Sequence, residues 1–127
     1  MIKMVNFFLL IINDTEKELR QRLSSKKWPI NDKTRFRGTM DKNDKIVIYQ
    51  AGKNFHRFVT EATVKSFEQD TEHRFVKLDK IKNFPPVDIK SIYEEMNLIK
   101  NPRYYGAYLA GGVKNLTEHD FKLIVKG

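Results

Sequence analysis

Apolar residues fill every position from Phe7 to Ile12, and the polar run N-D-T-E-K-E follows at once. A strand covered on both faces shows such an unbroken run, whereas a half-exposed strand alternates. A buried strand is therefore predicted here. Beyond it, Thr15 and Glu18 have capping-box spacing, with Asn13 and Asp14 as further candidate caps. Leu19 and Leu23 share one face of a helix predicted over about Thr15–Ser24. Pro29 ends any helical path. The segment K-W-P-I-N-D-K-T-R-F-R-G reads as irregular or weakly extended. A turn in M-D-K-N-D-K feeds a strand over Ile46–Gln50, and Ala51–Asn54 makes a second turn.

The segment F-H-R-F-V-T-E-A-T-V alternates. It sets Phe58, Thr60, Ala62 and Val64 opposite Arg57, Val59, Glu61 and Thr63, as expected of a hairpin partner to the preceding strand. H-R-F-V-K-L-D-K-I reads as another strand with Phe75 and Ile81 as apolar anchors, and Phe84-Pro85-Pro86 as a rigid connector. Asp88 is placed to cap a short helix whose one face carries Ile89, Ile92, Tyr93 and Met96. Thr117 is the expected N-cap of a last helix with Phe121 and Ile124 facing inward. Strands clustered between short helices, without repeat, low-complexity tract or linker, predict an α+β fold built on a small mixed sheet or partly closed barrel.

At 127 residues the chain is expected to form one domain over 1–127 with a real core. The absence of cysteine rules out disulfides, a thiolate zinc site and a cysteine nucleophile. It also fits a cytoplasmic location. The apolar run is too short to span a bilayer and is followed by no small-residue cleavage site, so neither a membrane span nor a signal peptide is expected. The formal net charge of +8 and pI of about 9.7 create a positive field that favours polyanionic partners.

Catalytic chemistry is poorly signposted. His56, His73 and His119 are not spaced as metal ligands, and no metal site is expected. Asp41 and Asp44 flank Asn43 in a turn, where such side chains bond the local backbone. Glu94 and Glu95 lie on a helix. Gly111-Gly112 reads as a turn, and nucleotide-binding glycine motifs are absent. Trp28, the single tryptophan, sits among Lys26, Lys27, Lys33, Arg35 and Arg37. Two readings stand side by side: an indole anchoring its loop to the core, or one wall of a nucleobase pocket.

Several segments resemble the EVE domain, a member of the PUA-like superfamily related to YTH readers of methylated adenine. They are W-P-I-N-D-K-T-R-F-R-G-T-M, then D-K-N-D-K-I-V-I-Y-Q-A-G with Asn43-Asp44 in place of Gly-Asp, then H-R-F-V-T-E-A-T-V. N-P-R-Y-Y-G-A-Y-L-A-G-G-V with L-T-E-H-D-F closes the match, which covers nearly the whole chain. The resemblance implies a PUA-like mixed barrel of five to six strands flanked by short helices. It also implies a pocket for a single-stranded or flipped-out base of RNA or DNA. Trp28 matches the stacking tryptophan. Asn13 matches the end of the first strand. Tyr49 and Gln50 match the central strand end, and Pro29, Ile30, Asn31 and Phe58 complete the expected pocket. Lys26, Lys27, Arg35, Arg37, Arg57, Arg103, Tyr104 and Tyr105 are its expected phosphate-contacting rim.

The chain lacks the further tryptophans of the YTH aromatic cage, leaving Phe55, Tyr104 and Tyr105 as substitutes. It also lacks the Gly-x-Lys-x-x-Glu-x-Arg run of the related ASCH domains. The expectation is a non-catalytic, cofactor-free module holding a modified base, with Arg103 and one of Tyr104 or Tyr105 facing the ligand and Tyr108 packed inside. The alternative for this loop is that all three tyrosines only close the barrel. Two other classes stay open. One is an enzyme acting on nucleotides or nucleic acid, with His56 as acid or base and Arg57 holding phosphate. The other is a basic protein-interaction module. Oligomeric state is open in all three.

Overall fold

The computed structural model describes residues 5–13, 16–30, 40–52, 56–69, 74–109 and 112–126. Expectations placed on Asp14, Thr15, Asn31, Lys33, Arg35, Arg37, Phe55, His73 and Gly111 lie outside the described residues. The elements in order are β1 (Phe7–Ile12), α1 (Glu16–Ser25), β2 (Lys27–Ile30), β3 (Lys45–Gln50), β4 (Arg57–Gln69) and β5 (Arg74–Asp88). Short 3-10 turns follow at Ile89–Ser91, Tyr93–Glu95 and Pro102–Tyr104, then α2 (Tyr105–Tyr108), β6 (Val113–Leu116) and α3 (Glu118–Lys126).

Among the described residues the strands form one curled mixed sheet in the order β2-β5-β4-β3-β1-β6. β1 and β3 run parallel, and the other neighbours are antiparallel. The expected α+β architecture is the one found. The sheet is a half-barrel rather than a closed barrel.

The apolar run of β1 is explained by what lies on each side. Phe8, Leu10 and Ile12 join a first core cluster, under α1 and β2, with Leu19, Trp28, Ile30, Ile46 and Ile48. Leu9 and Ile11 join a second cluster on the opposite face with Val47, Tyr49, Phe58, Ile89, Ile92, Met96 and Ile124. Each fully buried side chain of this size contributes about 1.5–3 kcal/mol relative to exposure. The sheet is therefore held from both faces.

Two buried carboxylates organise the chain between elements. Asp44 accepts N–H groups from Asn6 (3.1 Å) and Asp41 (2.7 Å), locking the turn before β3 to the entry of β1. Asn43 beside it has φ +76°, a left-handed conformation that asparagine tolerates and glycine favours. That accounts for Asn-Asp standing where the resemblance has Gly-Asp. Asp120 accepts from the backbone N–H of Asn97 (2.7 Å) and Leu98 (2.8 Å), clipping α3 to the segment after β5. Thr117 caps α3 through Oγ1, which accepts the N–H of Asp120.

The structure differs from the sequence reading in four places. The Trp28 segment is a regular short strand, because β5 offers an edge on which Trp28 pairs with Val76 and Pro29 with Phe75. β5 runs on through the expected connector to Asp88. Pro85 and Pro86 fall where the β4–β5 register shifts between Phe58 and Thr60, so no ladder bond needs their missing N–H. The helix expected over Ile89–Met96 is two 3-10 turns, separated at Ile92 with φ −133°. Asp88 does cap the first of them, accepting from the Lys90 N–H at 2.8 Å. Last, Tyr49 pairs with Phe58 while Ile48 pairs with Thr60, so Val59 is an extra residue. This bulge turns Phe58 onto the second face, away from Ala62 and Val64.

Candidate functional site

β1, β3, β4 and β5 bring Asn13, Gln50, Arg57 and Asp88 to one end of the sheet, as the registers Ile12↔Gln50, Gln50↔Arg57 and Arg57↔Asp88 require. On the α1 face of this end lies a cleft of about 230 Å³. Leu19 and Leu23 of α1 form one side, with Glu16 and Arg20 at its margin. Arg57, Val59 and Thr60 of β4 and Asn83, Phe84 and Pro86 of β5 form the other. The Val59 bulge makes this possible, since it presents Val59 and Thr60 to the cleft in succession.

The polar groups of the cleft are ordered by each other. The Thr60 hydroxyl donates to Oδ1 of Asn83 at 2.7 Å. Arg57 donates through Nε to Oε1 of Gln50 at 3.1 Å. Gln50 is 0% exposed, and its Nε2 has no hydrogen-bond partner among the described residues. Because the guanidinium requires an acceptor, the amide nitrogen is the end left over. A buried donor left without a partner costs roughly 1–3 kcal/mol.

Trp28 is 2% exposed, packed in the first cluster with Leu19, Ile30 and Val76. The Arg22 guanidinium lies over its ring, 4.8 Å from the centroid, and Arg22 also pairs with Glu18 at 3.2 Å. Pro29 is half-buried and Ile30 buried beside it. Lys26 is exposed with φ +60°, and its carbonyl accepts the N–H of Leu78. The Lys27 ammonium pairs with Glu68 at 3.1 Å.

The second face holds the remaining expected pocket residues. Tyr49 and Phe58 pack edge-to-face with centroids 5.0 Å apart. Burial, with Tyr105 and Asp88 nearby, holds the Tyr49 phenol well above its ordinary value. Tyr105 packs on Tyr93 at 5.7 Å and on His56 at 6.2 Å. Tyr108 is half-buried on the second cluster, while Tyr104 is 58% exposed with the Arg103 guanidinium 5.9 Å from its ring centroid. Asn101 caps the turn that carries them, accepting from the Arg103 N–H.

The structure thus brings Gln50 and Arg57 together, and Trp28 with Ile30. It sets Tyr49, Phe58 and the tyrosine loop on the other face of the same sheet. Sequence reasoning missed Thr60, Asn83 and Phe84. The available signal was polar Thr60 within an otherwise apolar alternation. A larger depression of about 570 Å³ follows the outer side of α1, but Lys17, Gln21 and Ser24 there are solvent-facing and it contains no buried polar group among the described residues.

No protein-family model matches the chain, and no curated protein matches it by sequence. Solved structures do match. The YTH domain of the Zygosaccharomyces rouxii MRB1 protein, in complex with N6-methyladenosine RNA, superposes with TM-score 0.66 at 14% identity, over 96% of this chain and 85% of that one. Human THYN1, in complex with 5-methylcytosine-containing DNA, gives 0.64 at 12% identity, over 95% and 96%. A hypothetical protein from Leishmania major gives 0.66 at 11%, over 96% and 93%. At these identities the likeness is one of fold. The fold implied by the EVE and YTH resemblance is the fold this chain has.

Proposed function

We propose that this chain is a nucleic-acid-binding module that holds one base in the cleft along α1. The observation that carries the reading is the buried Gln50 amide, bonded to the cleft residue Arg57, whose Nε2 lacks a partner among the described residues. A planar base needs apolar contact on its faces and polar groups at its edge. Leu19, Leu23, Val59 and Phe84 are suited to the first, and Arg57, Thr60 and Asn83 to the second, with Gln50 held behind Arg57. The volume is below that of pockets for drug-sized ligands and suits a single base.

Two proteins of the same fold were solved with methylated nucleic acid, RNA in one and DNA in the other. That supports a modified base as ligand. Trp28 packs behind Leu19 and does not line the cleft, so its part in this reading is an exchange in which the base moves Arg22 off the indole. Base–aromatic stacking is worth about 1–3 kcal/mol. The net charge of +8 supports phosphate contacts on either side of the base.

The test is a titration with short single-stranded RNA and DNA, with and without N6-methyladenine, 5-methylcytosine and 5-hydroxymethylcytosine. Trp28 fluorescence and polarization are followed at two salt concentrations. Saturable quenching that is strongest for one modified base is expected. Polarization without any change at Trp28 removes the indole from the site. No change in either signal across the panel overturns the reading.

A further inference from the structure

We propose that the backbone of the bound strand crosses the open edge of β5 and sets a phosphate on the second face, in a site made by Lys45, Lys80 and Lys82. The proposal rests on the base-in-cleft reading and extends the footprint beyond the cleft. A depression of about 230 Å³ on that face is lined by these three lysines with Glu61, Ala62 and Thr63. They converge from β3, β4 and β5, with Lys45 paired in register with Thr63 and Glu61 with Lys82. Lys45 Nζ donates to the Thr63 hydroxyl at 3.3 Å, so one ammonium is already positioned.

The convergence of like charge singles this place out. Among the described residues, ion pairs join Arg20 to Glu16, Arg22 to Glu18, Lys27 to Glu68 and Lys122 to Glu118. Here three ammonium groups share a depression with one carboxylate, and neither Lys80, Lys82 nor Glu61 has an ion pair among the described residues. Lys80 is moreover held at φ +49°, within the bulge where Lys80 and Ile81 face Ala62. A left-handed conformation costs a lysine energy that glycine would not spend, and such strain clusters at functional positions.

The path from cleft to lysines is short. β2 covers β5 only over Arg74–Lys77, so among the described residues the edge beyond Leu78 carries no strand. Asn83, Phe84 and Pro86 line the cleft, while Lys80 and Lys82 line the depression. Asn83 and Lys82 are successive residues of β5, so their side chains leave opposite faces of the sheet beside this edge.

The experiment compares wild type with the triple variant Lys45→Gln, Lys80→Gln, Lys82→Gln. A control triple, Lys100→Gln, Lys114→Gln, Lys126→Gln, removes the same charge elsewhere. All three proteins are titrated with a nucleoside, a trinucleotide and a nonamer of the preferred base, at several salt concentrations, after circular dichroism has verified their folding. Wild-type affinity is expected to rise with length. The β5-edge triple should keep the nucleoside affinity, lose most of the gain with length, and lower the salt slope by about 0.7, the share of one neutralised phosphate on a single strand. The control should leave the slope unchanged.

Equal length and salt dependence in the two triples overturns the proposal, as does equal loss of the nucleoside by the β5-edge triple. Inorganic phosphate that competes at these lysines while oligonucleotides ignore them also overturns it, leaving a site for free phosphate. Wild type that binds no nucleic acid at any length overturns the underlying reading as well, which separates the two failures.

Discussion

Arg57 donates to Oε1 of Gln50 across 3.1 Å, and this bond decides which end of the amide is left over. The remaining Nε2 is buried and has no partner among the described residues. Replacing Gln50 by Met removes the orphan donor at similar volume, and with it an acceptor of the half-buried Arg57. The two effects oppose, so thermal unfolding should show a stability within about 1 kcal/mol of wild type, while base binding weakens. A variant that loses stability and keeps affinity would show that Gln50 serves the fold alone.

Arg22 covers the indole of Trp28 at 4.8 Å. Arg22→Ala should uncover that face, shift Trp28 emission to the red and strengthen quenching by the bound base. Trp28→Phe is the partner experiment, since it keeps an aromatic surface. Trp28→Ala would remove about 3–5 kcal/mol of core packing and confuse binding with unfolding. Unchanged emission in Arg22→Ala would leave the indole sealed and remove it from the ligand path.

Asp120 is 0% exposed and accepts two backbone N–H groups. Asp120→Ala strands both donors and frees the start of α3 from the segment after β5. Chemical denaturation should register a loss of roughly 3 kcal/mol. A loss below about 1 kcal/mol would mean that water replaces the carboxylate without penalty.

Tyr49 gives a pH signature. Burial favours its neutral phenol, so its folded-state pKa lies above the ordinary value near 10. The contribution to stability is whole below about pH 10 and is lost as pH rises, because the unfolded chain deprotonates first. Tyr49→Phe should flatten the part of the alkaline stability decline that belongs to this residue, read as Tm against pH from 9 to 11. Identical slopes in both proteins would refute this.

Lys80 at φ +49° predicts an opposed pair of effects. Lys80→Gly relieves the left-handed backbone and should stabilise the fold by about 0.5–1 kcal/mol. The same change should weaken oligonucleotide binding. Destabilisation by Lys80→Gly would show that the lysine stem is needed where it lies.

Local chemistry was legible in the chain. The six apolar residues of β1 announced a strand covered on both faces. Asp88 and Thr117 announced caps, because a cap is a bond to a backbone group two or three residues away. Asn43-Asp44 announced the turn before β3. The resemblance carried the α+β class and a mixed sheet of five to six strands, though as a barrel and not the six-stranded half-barrel found. Pairing between distant segments was not legible. The Val59 bulge, which sends Phe58 to one face and adds Val59 and Thr60 to the cleft, exists only because β4 must fit β3 and β5 together. The extension of β5 through Pro85-Pro86 has the same origin. Trp28 read equally as anchor or wall until β5 gave its segment a partner and Arg22 covered its face. Tyr104, Tyr105 and Tyr108 read as one cluster, and the tertiary structure divided them into one exposed ring and two half-buried ones. Periodicity and capping are properties of neighbours along the chain. Which face a residue serves, and what lies beside it, are set by strands that meet across dozens of residues.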